Sequence, residues 1–131
     1  MEFETSNIGI CIRGVDLRTA SPSEMSIVKQ KLYQHRAIIV KDQQIDEAGF
    51  CDVSRRFGEP VPYLQENYHH PEYPLIFVSS NVVRDGKKMG VARTGGYWHS
   101  DTSFQGTPIN HAIGQNIQPK IRCSVSGSPS M

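Results

Sequence analysis

His99 and Asp101 are the residues whose types and spacing could best support chemistry. They lie inside the strand-like run 95–104, where two residues equal one strand period, so both side chains should point to the same face. An imidazole and a carboxylate so placed can take neighbouring positions on one metal ion. A second histidine from elsewhere would complete the 2-His-1-carboxylate arrangement that leaves positions open at Fe(II). The spacing therefore predicts a metal site with His99 and Asp101 as two of its ligands.

The surroundings of the pair favour a site, although a simpler structure is possible. A histidine and an acid two residues apart also occur by chance, and on a surface strand His99 and Asp101 would only hydrogen-bond each other. Trp98 and Phe104 flank the pair with bulky apolar groups. We expect these two side chains to exclude water from a pocket beside the pair.

Length and composition limit what the chain can be. With 131 residues, 37% of them hydrophobic and 21% charged, it has room for one small domain. The start Met1–Glu4 lacks the basic and apolar parts of a signal peptide, which indicates a cytoplasmic protein, and no apolar run predicts a membrane span. A formal net charge of +1 without a basic block gives no electrostatic reason to expect nucleic acid.

The three cysteines do not suggest a disulfide framework or a zinc site. Cys11, Cys51 and Cys123 are an odd number at wide, irregular spacing. We expect small buried thiols at these positions.

The first half of the chain predicts strand, helix, strand and helix, in that order. These elements are expected at residues 8–15, 21–35, 37–40 and 46–57. The first helix is the best defined, because Ser21-Pro22-Ser23-Glu24 combines a capping box with proline at the first helical position. The continuous apolar run Ala37–Val40 favours a buried strand. The second helix should begin at Asp46 and end at Gly58.

Beyond Pro60 the pattern changes. Residues 62–71 mix aromatics, amides and histidines without periodicity, which is typical of an ordered loop near a site. His69 and His70 are adjacent and would face opposite ways if extended, so at most one could share a metal with His99. Surface or supporting positions are the more ordinary role for both. A strand over 75–78 and a turn over 84–87 should precede the strand that contains His99.

The run Gly95–Phe104, followed by Pro108, resembles the amino-terminal half of the taurine dioxygenase-like (TauD/TfdA) family of Fe(II)- and 2-oxoglutarate-dependent oxygenases. The order of elements agrees with that family, and the resemblance covers about residues 5 to 114. Further matching segments are Arg36–Gln43, Phe57-Gly58 and Phe77–Ser80. The segment Tyr63–Asn81, and especially its loop Asn67–Pro74, is similar to members that act in isonitrile biosynthesis, including the pyoverdine/paerucumarin-cluster type.

The resemblance implies an α+β fold: a partial double-stranded β-helix, or jelly roll, with two amino-terminal helices and its carboxy-terminal half missing. It implies that His99 and Asp101 bind Fe(II), with a distal histidine as third ligand, 2-oxoglutarate as cosubstrate and O₂ as co-reactant. The substrate would be a small amino-acid-derived or secondary metabolite. The candidates for substrate binding, chosen by their position in the loop alone, are Tyr63, Tyr68 and His69.

The chain also departs from the family. Residues 1–114 correspond to the amino-terminal part of an oxygenase domain, whereas 115–131 form an irregular tail without aromatics that ends in alternating serines. Members continue with the distal histidine and the arginine that pairs with 2-oxoglutarate, so we expect a truncated product. Half a jelly roll would leave sheet edges unpaired, which predicts possible self-association.

Two classes of function therefore remain. The chain is either part of an oxygenase whose activity belongs to the complete protein or needs a complementing chain, or it is a catalytically inactive product or small-ligand-binding module. A downstream reading frame that encodes histidine and arginine in family context would favour the first class.

The 131-residue chain by itself should not convert 2-oxoglutarate. Two ligands without a third hold Fe(II) weakly, and no arginine can be placed against the far carboxylate of the cosubstrate. The measurement is succinate formation by the purified chain with Fe(II) and O₂. Stoichiometric, Fe(II)-dependent succinate that disappears in His99→Ala would contradict the prediction and identify the site at the same time.

Overall fold

The computed structural model has an α+β architecture with a small three-stranded sheet and two helices. It describes residues 1–80, 83–84, 86–88, 90–92, 96–99, 102, 106 and 109–115. The strands are β1 (Glu2–Ser6), β2 (Gly9–Arg13), β3 (Ile38–Val40), β4 (Val83–Arg84) and β5 (Lys87–Lys88). The helices are α1 (Pro22–His35), α2 (Glu47–Phe57) and a short 3₁₀ helix at Glu66–Tyr68.

The sheet places β2 in the centre, antiparallel to β1 and parallel to β3. In this register Ile10 lies beside Ile38 and Ile12 beside Val40, so these four side chains share one face. Gly9 allows β2 and β3 to start close together, because a Cβ there would overlap the carbonyl oxygen of Ala37. Ile12 is completely buried, which identifies this face as the one against the core.

Helix α1 forms where its capping residues predict. The Ser21 hydroxyl accepts from the Glu24 backbone N–H, and the Glu24 carboxylate accepts from the Ser21 N–H at 2.8 Å. The helix ends at Arg36, which is left-handed with φ 67° and donates its N–H to Leu32. Of its apolar side chains, Met25 and Val28 are buried.

Helix α2 begins at its N-cap Asp46, whose carboxylate accepts from the Gly49 N–H at 2.8 Å. It buries Cys51 and Val53. Cys51 therefore has the buried thiol that the sequence predicts, whereas Cys11 is only half-buried.

One cluster of buried side chains joins the sheet, both helices and the segment between β2 and α1. Its members are Ile12, Val15, Leu17, Ala20, Met25, Val28 and Val53. Ile38, Val40, Ile45 and Phe57 pack against it from the edge.

Side-chain hydrogen bonds hold the segment between β2 and α1 in place. The Gln43 amide accepts from the Leu17 N–H at 2.9 Å and donates to the Val15 carbonyl at 2.7 Å. The Arg56 guanidinium of α2 donates to the carbonyls of residues 17, 18 and 20. These bonds provide hydrogen-bond partners for backbone groups that lie outside any strand or helix.

Three expectations about the sheet need correction. Strand β1 was not expected. All five of its residues are exposed, and its sequence does not show the apolar alternation by which a half-buried strand is recognised. Ile8 is 82% exposed, because it lies in the turn between β1 and β2 instead of on the core face. Strand β3 is not fully buried, since Ile39 points to the other face and is 54% exposed.

The later part of the chain has little regular structure among the described residues. The expected turn over 84–87 is present as a hairpin of β4 and β5 with Gly86 at φ 74°. The prediction of a strand over 75–78 is wrong, because within these residues Phe77 forms only an isolated bridge with His69. Prolines 71 and 74 lack N–H donors, which prevents a continuous ladder here. Within the described part of the chain, no helix is long and apolar enough to span a membrane.

Replacing Arg56 by alanine should lower the free energy of unfolding by about 2–3 kcal/mol, because carbonyls beside the core lose a charged donor. Urea unfolding followed by circular dichroism would measure the change. The neighbouring Arg55→Ala is the matched control, since the ion pair of Arg55 with Asp52 is exposed and should contribute about 0.5 kcal/mol or less. Equal effects of the two substitutions would contradict the assigned role of Arg56.

The Glu24 carboxylate should make stability depend on pH in the acid range. The backbone N–H and hydroxyl of Ser21 both donate to it and hold the pKa of Glu24 below its ordinary value of 4.5. The unfolded chain therefore binds this proton more readily, so the stabilisation is present above pH 4.5 and is lost as pH falls through the lower, folded-state pKa.

Glu24→Gln should make the loss of stability on acidification less steep, as measured by urea midpoints at a series of pH values. Glu59→Gln, which removes an exposed carboxylate outside the capping box, is the control. A slope in Glu24→Gln equal to that of the parent chain would refute the prediction.

Candidate functional site

The segment Gly96–His99 carries the described metal-ligand candidate. It forms a bend instead of the expected strand, and all four residues are exposed. The His99 Nδ1 atom lies 2.7 Å from the backbone carbonyl oxygen of Tyr97. This local bond occupies a carbonyl that a strand ladder would use, which explains the loss of strand geometry. Asp101 lies outside the described residues, so its position beside His99 stays a prediction.

An open recess of about 550 Å³ lies at this segment and is lined by Gly96, Tyr97, Trp98 and His99. The Tyr97 and His99 rings are in contact, with centroids 5.4 Å apart and planes inclined by 56°. Trp98 was expected to exclude water, but its side chain is fully exposed. Phe104, the other expected wall, lies outside the described residues.

The loop candidates Tyr63 and Tyr68 lie together against Phe77. The Tyr63 and Phe77 rings meet edge to face at 4.8 Å, and Tyr68 approaches the same ring at 6.0 Å. The Val78 N–H donates to the Tyr68 carbonyl at 3.1 Å, which fixes the loop to the chain beyond it. Tyr63 remains 48% exposed. The structure therefore presents a preformed aromatic cluster of these three rings, with one face open to solvent.

His69 belongs to the same cluster through its backbone and its ring. It pairs with Phe77 in an isolated bridge, and its Nε2 lies 2.7 Å from the Tyr63 carbonyl oxygen. His70 differs, because its Nδ1 accepts from the Glu72 N–H at 3.2 Å and its ring contacts Tyr73. In a neutral His70 the proton is therefore on Nε2, which disfavours metal binding through that atom.

The structure brings Tyr63, Tyr68 and His69 together, and none of them is among the described residues that line the recess at His99, which are 96–99. Among the described residues no three His, Cys, Asp or Glu side chains are grouped as a metal site. His111 contacts Phe57 edge to face, and its Nδ1 is buried without a hydrogen-bond partner among the described residues.

Sequence reasoning missed two contributors to these sites. Phe77 forms the centre of the aromatic cluster, although it was expected only as a strand residue. Its place in an apolar run after a loop rich in aromatics was the available signal. The Tyr97 carbonyl contacts His99, and no side-chain pattern could have indicated a backbone acceptor.

Comparison with known proteins identifies a family and a relative. The family model described as "Taurine catabolism dioxygenase TauD, TfdA family" matches residues 3–113. Pentalenolactone F synthase of Streptomyces arenae is 39% identical over 57 residues. Those residues are 43% of this chain and 19% of that protein, so the matched segment spans about a fifth of the relative's length.

Proposed function

Because this chain belongs to the TauD, TfdA family of dioxygenases, we propose that it contributes His99 and Asp101 to a non-haem Fe(II)- and 2-oxoglutarate-dependent oxygenase. The observation that carries the proposal is the family match over residues 3–113, which includes the His-x-Asp pair. An imidazole nitrogen and a carboxylate are the donor types of a 2-His-1-carboxylate iron site. Fe(II) bound there would activate O₂ with electrons from 2-oxoglutarate.

The exposure of His99 fits this role. Its ring lies at the open recess of residues 96–99, where solvent has access to the segment. The third protein ligand is not assigned. Because the matched segment covers about a fifth of the relative, the activity of the whole protein is part of the proposal.

The aromatic cluster is the part of the site that we propose to bind the substrate. Tyr63 and Tyr68 present ring faces held in place by Phe77, and such rigid rings bind apolar or planar groups at little entropic cost. His69 donates through Nε2 to the Tyr63 carbonyl, so only its Nδ1 edge is left to accept a hydrogen bond from substrate. We assign Tyr63, Tyr68 and His69 to substrate binding on this basis.

The proposed substrate is a small amino-acid-derived or secondary metabolite. The similar protein from Streptomyces arenae is named for the synthesis of pentalenolactone F. The loop 67–74 supports the narrower proposal of a role in isonitrile biosynthesis, because it resembles members of that kind. The cytoplasmic location expected from the amino terminus belongs to the same proposal.

Iron binding by the 131-residue chain tests the proposal. Under anaerobic conditions, addition of Fe(II) should broaden the NMR signals of His99 before those of the other histidines, because a paramagnetic ion relaxes nuclei near its ligands. Asp101→Asn should abolish this selective broadening, and His99→Ala should abolish the accompanying broadening of the Tyr97 and Trp98 signals.

His70→Ala is the matched control and should leave the broadening at His99 unchanged, since His70 Nδ1 is already hydrogen-bonded to the backbone. Broadening that persists in His99→Ala, or that centres on His69 and His70, would refute the proposed site. That result would support an inactive product or a small-ligand-binding module instead.

A further inference from the structure

Residues 68–78 form a short hairpin that includes two rings of the aromatic cluster, Tyr68 and Phe77. Two backbone hydrogen bonds close it, one on either side of the bridge between His69 and Phe77. They join the His70 N–H to the Ile76 carbonyl at 2.8 Å and the Val78 N–H to the Tyr68 carbonyl at 3.1 Å. Because both bonds belong to one antiparallel register, they determine which residues face each other and so place Phe77 beside Tyr68.

The tip of the 68–78 hairpin is held by the His70 imidazole. Its Nδ1 accepts from the Glu72 N–H at 3.2 Å, and its ring contacts Tyr73 with centroids 5.4 Å apart. A side-chain acceptor that takes the N–H two residues further on is the pattern of an Asx turn, in which asparagine or aspartate supplies the oxygen. The bend that begins here is completed by a second turn, in which the Ile76 N–H donates to the Tyr73 carbonyl at 2.8 Å.

The side-chain bond of His70 exists only while Nδ1 is unprotonated. A backbone N–H can only donate, so Nδ1 must supply a lone pair to it. A proton that binds at Nδ1 takes that lone pair and sets two N–H donors against each other. His70 is only half-buried, and imidazoles ordinarily change charge between about pH 5 and 8. Acidification in this range therefore removes the acceptor at the tip of the hairpin.

The adjacent His69 responds differently to acid. Its Nε2 lies 2.7 Å from the Tyr63 carbonyl oxygen, which accepts and cannot donate, so Nε2 carries the hydrogen. Protonation of His69 adds a proton at Nδ1 and leaves the Nε2–H donor in place. Of these two histidines, His70 is therefore the one whose hydrogen bond is lost on protonation.

The titratable and charged groups around the tip come from the turn, from its neighbour in the chain and from α2. Among the described residues they are Cys51, Asp52, Arg55, His69, Glu72 and Tyr73. Asp52 and Arg55 pair with each other at 2.9 Å. The Glu72 carboxylate belongs to the same residue whose N–H binds His70, and Glu72→Gln removes its charge but keeps that N–H.

We propose that His70 is a pH-sensitive latch: its neutral imidazole closes the 68–78 hairpin and keeps the aromatic cluster packed, and protonation at Nδ1 loosens both. The latch itself is independent of the proposed function. Its consequence is a substrate surface that is assembled near neutral pH and loosened in mild acid. That consequence rests on the assignment of the aromatic cluster to substrate binding.

His70→Asn is the matched variant of the full chain. The asparagine side-chain oxygen takes the place of Nδ1 and accepts from the Glu72 N–H, but it does not titrate. His70→Ala removes the acceptor. At pH 8, nuclear Overhauser effects between the Phe77 and Tyr68 rings should be equal in the parent chain and His70→Asn and weaker in His70→Ala. Exchange of the Glu72 N–H with water should be about fivefold faster in His70→Ala.

A pH series distinguishes the latch from a merely structural role of His70. Between pH 8 and pH 5, the ring-to-ring effects of Phe77 and Tyr68 should weaken together with protonation of His70, which ¹⁵N-histidine labelling detects. They should stay constant in His70→Asn. Glu72→Gln should behave as the parent chain does, because the bond runs to the backbone. Equal pH dependence in the parent chain and His70→Asn, or its loss in Glu72→Gln, would overturn the inference.

Indole, a planar apolar molecule, is the probe for the substrate surface. It should perturb the Tyr63 and Tyr68 signals at pH 8, bind at least about fivefold more weakly at pH 5, and show no such difference in His70→Asn. Unchanged methyl signals of Ile12 and Val28 show that the core stays folded. Equal indole binding by the parent chain at both pH values would overturn the regulation of this surface. Failure of the proposed function is recognised separately: the latch would titrate as described, but indole would not perturb either tyrosine.

Discussion

The segment between β2 and α1 is held by side chains from two other elements, and the core depends on that restraint. Val15, Leu17 and Ala20 are buried, yet their backbone lies outside any strand or helix. The side-chain amide of Gln43 donates one hydrogen bond to this backbone and accepts one from it, as the backbone of a neighbouring strand would. Arg56 satisfies the carbonyls on the other side. Without these partners, polar backbone groups would lie unpaired beside apolar side chains, at a cost of about 1–3 kcal/mol each.

The chain beyond the region of the candidate site contacts α2 and the residues just before it. Gln115 donates its side-chain N–H to the Ile45 carbonyl at 2.7 Å, and the His111 ring contacts Phe57 at the end of α2. The region 58–108 contains His99 and the aromatic cluster. It starts at the end of α2 and is followed by a segment that returns to α2. The proposed site is therefore anchored on both sides to one helix, although Gln115 itself belongs to the expected tail.

Local signals explain which elements the sequence predicts well. Helix α1 has the expected bounds because its capping box is contained in four consecutive residues, Ser21–Glu24. Helix α2 begins after Asp46 for the same kind of reason. Strand β1 depends instead on pairing with β2, and its polar, exposed residues carry no periodic signal. The apolar run 75–78 has a strand-like composition, but nearby prolines restrict its pairing to an isolated bridge.

At the candidate site, the types and spacing of residues do not predict how each histidine is protonated. Spacing identifies His99 with Asp101, and loop composition identifies His69, but neither indicates which imidazole nitrogen is protonated. That property is set by backbone partners: the carbonyl two residues before His99, the carbonyl six residues before His69 and the N–H two residues after His70. Each partner is reached only because the backbone bends locally. The bend at Tyr97–His99 therefore replaces the expected strand and places the Tyr97 carbonyl beside the His99 Nδ1.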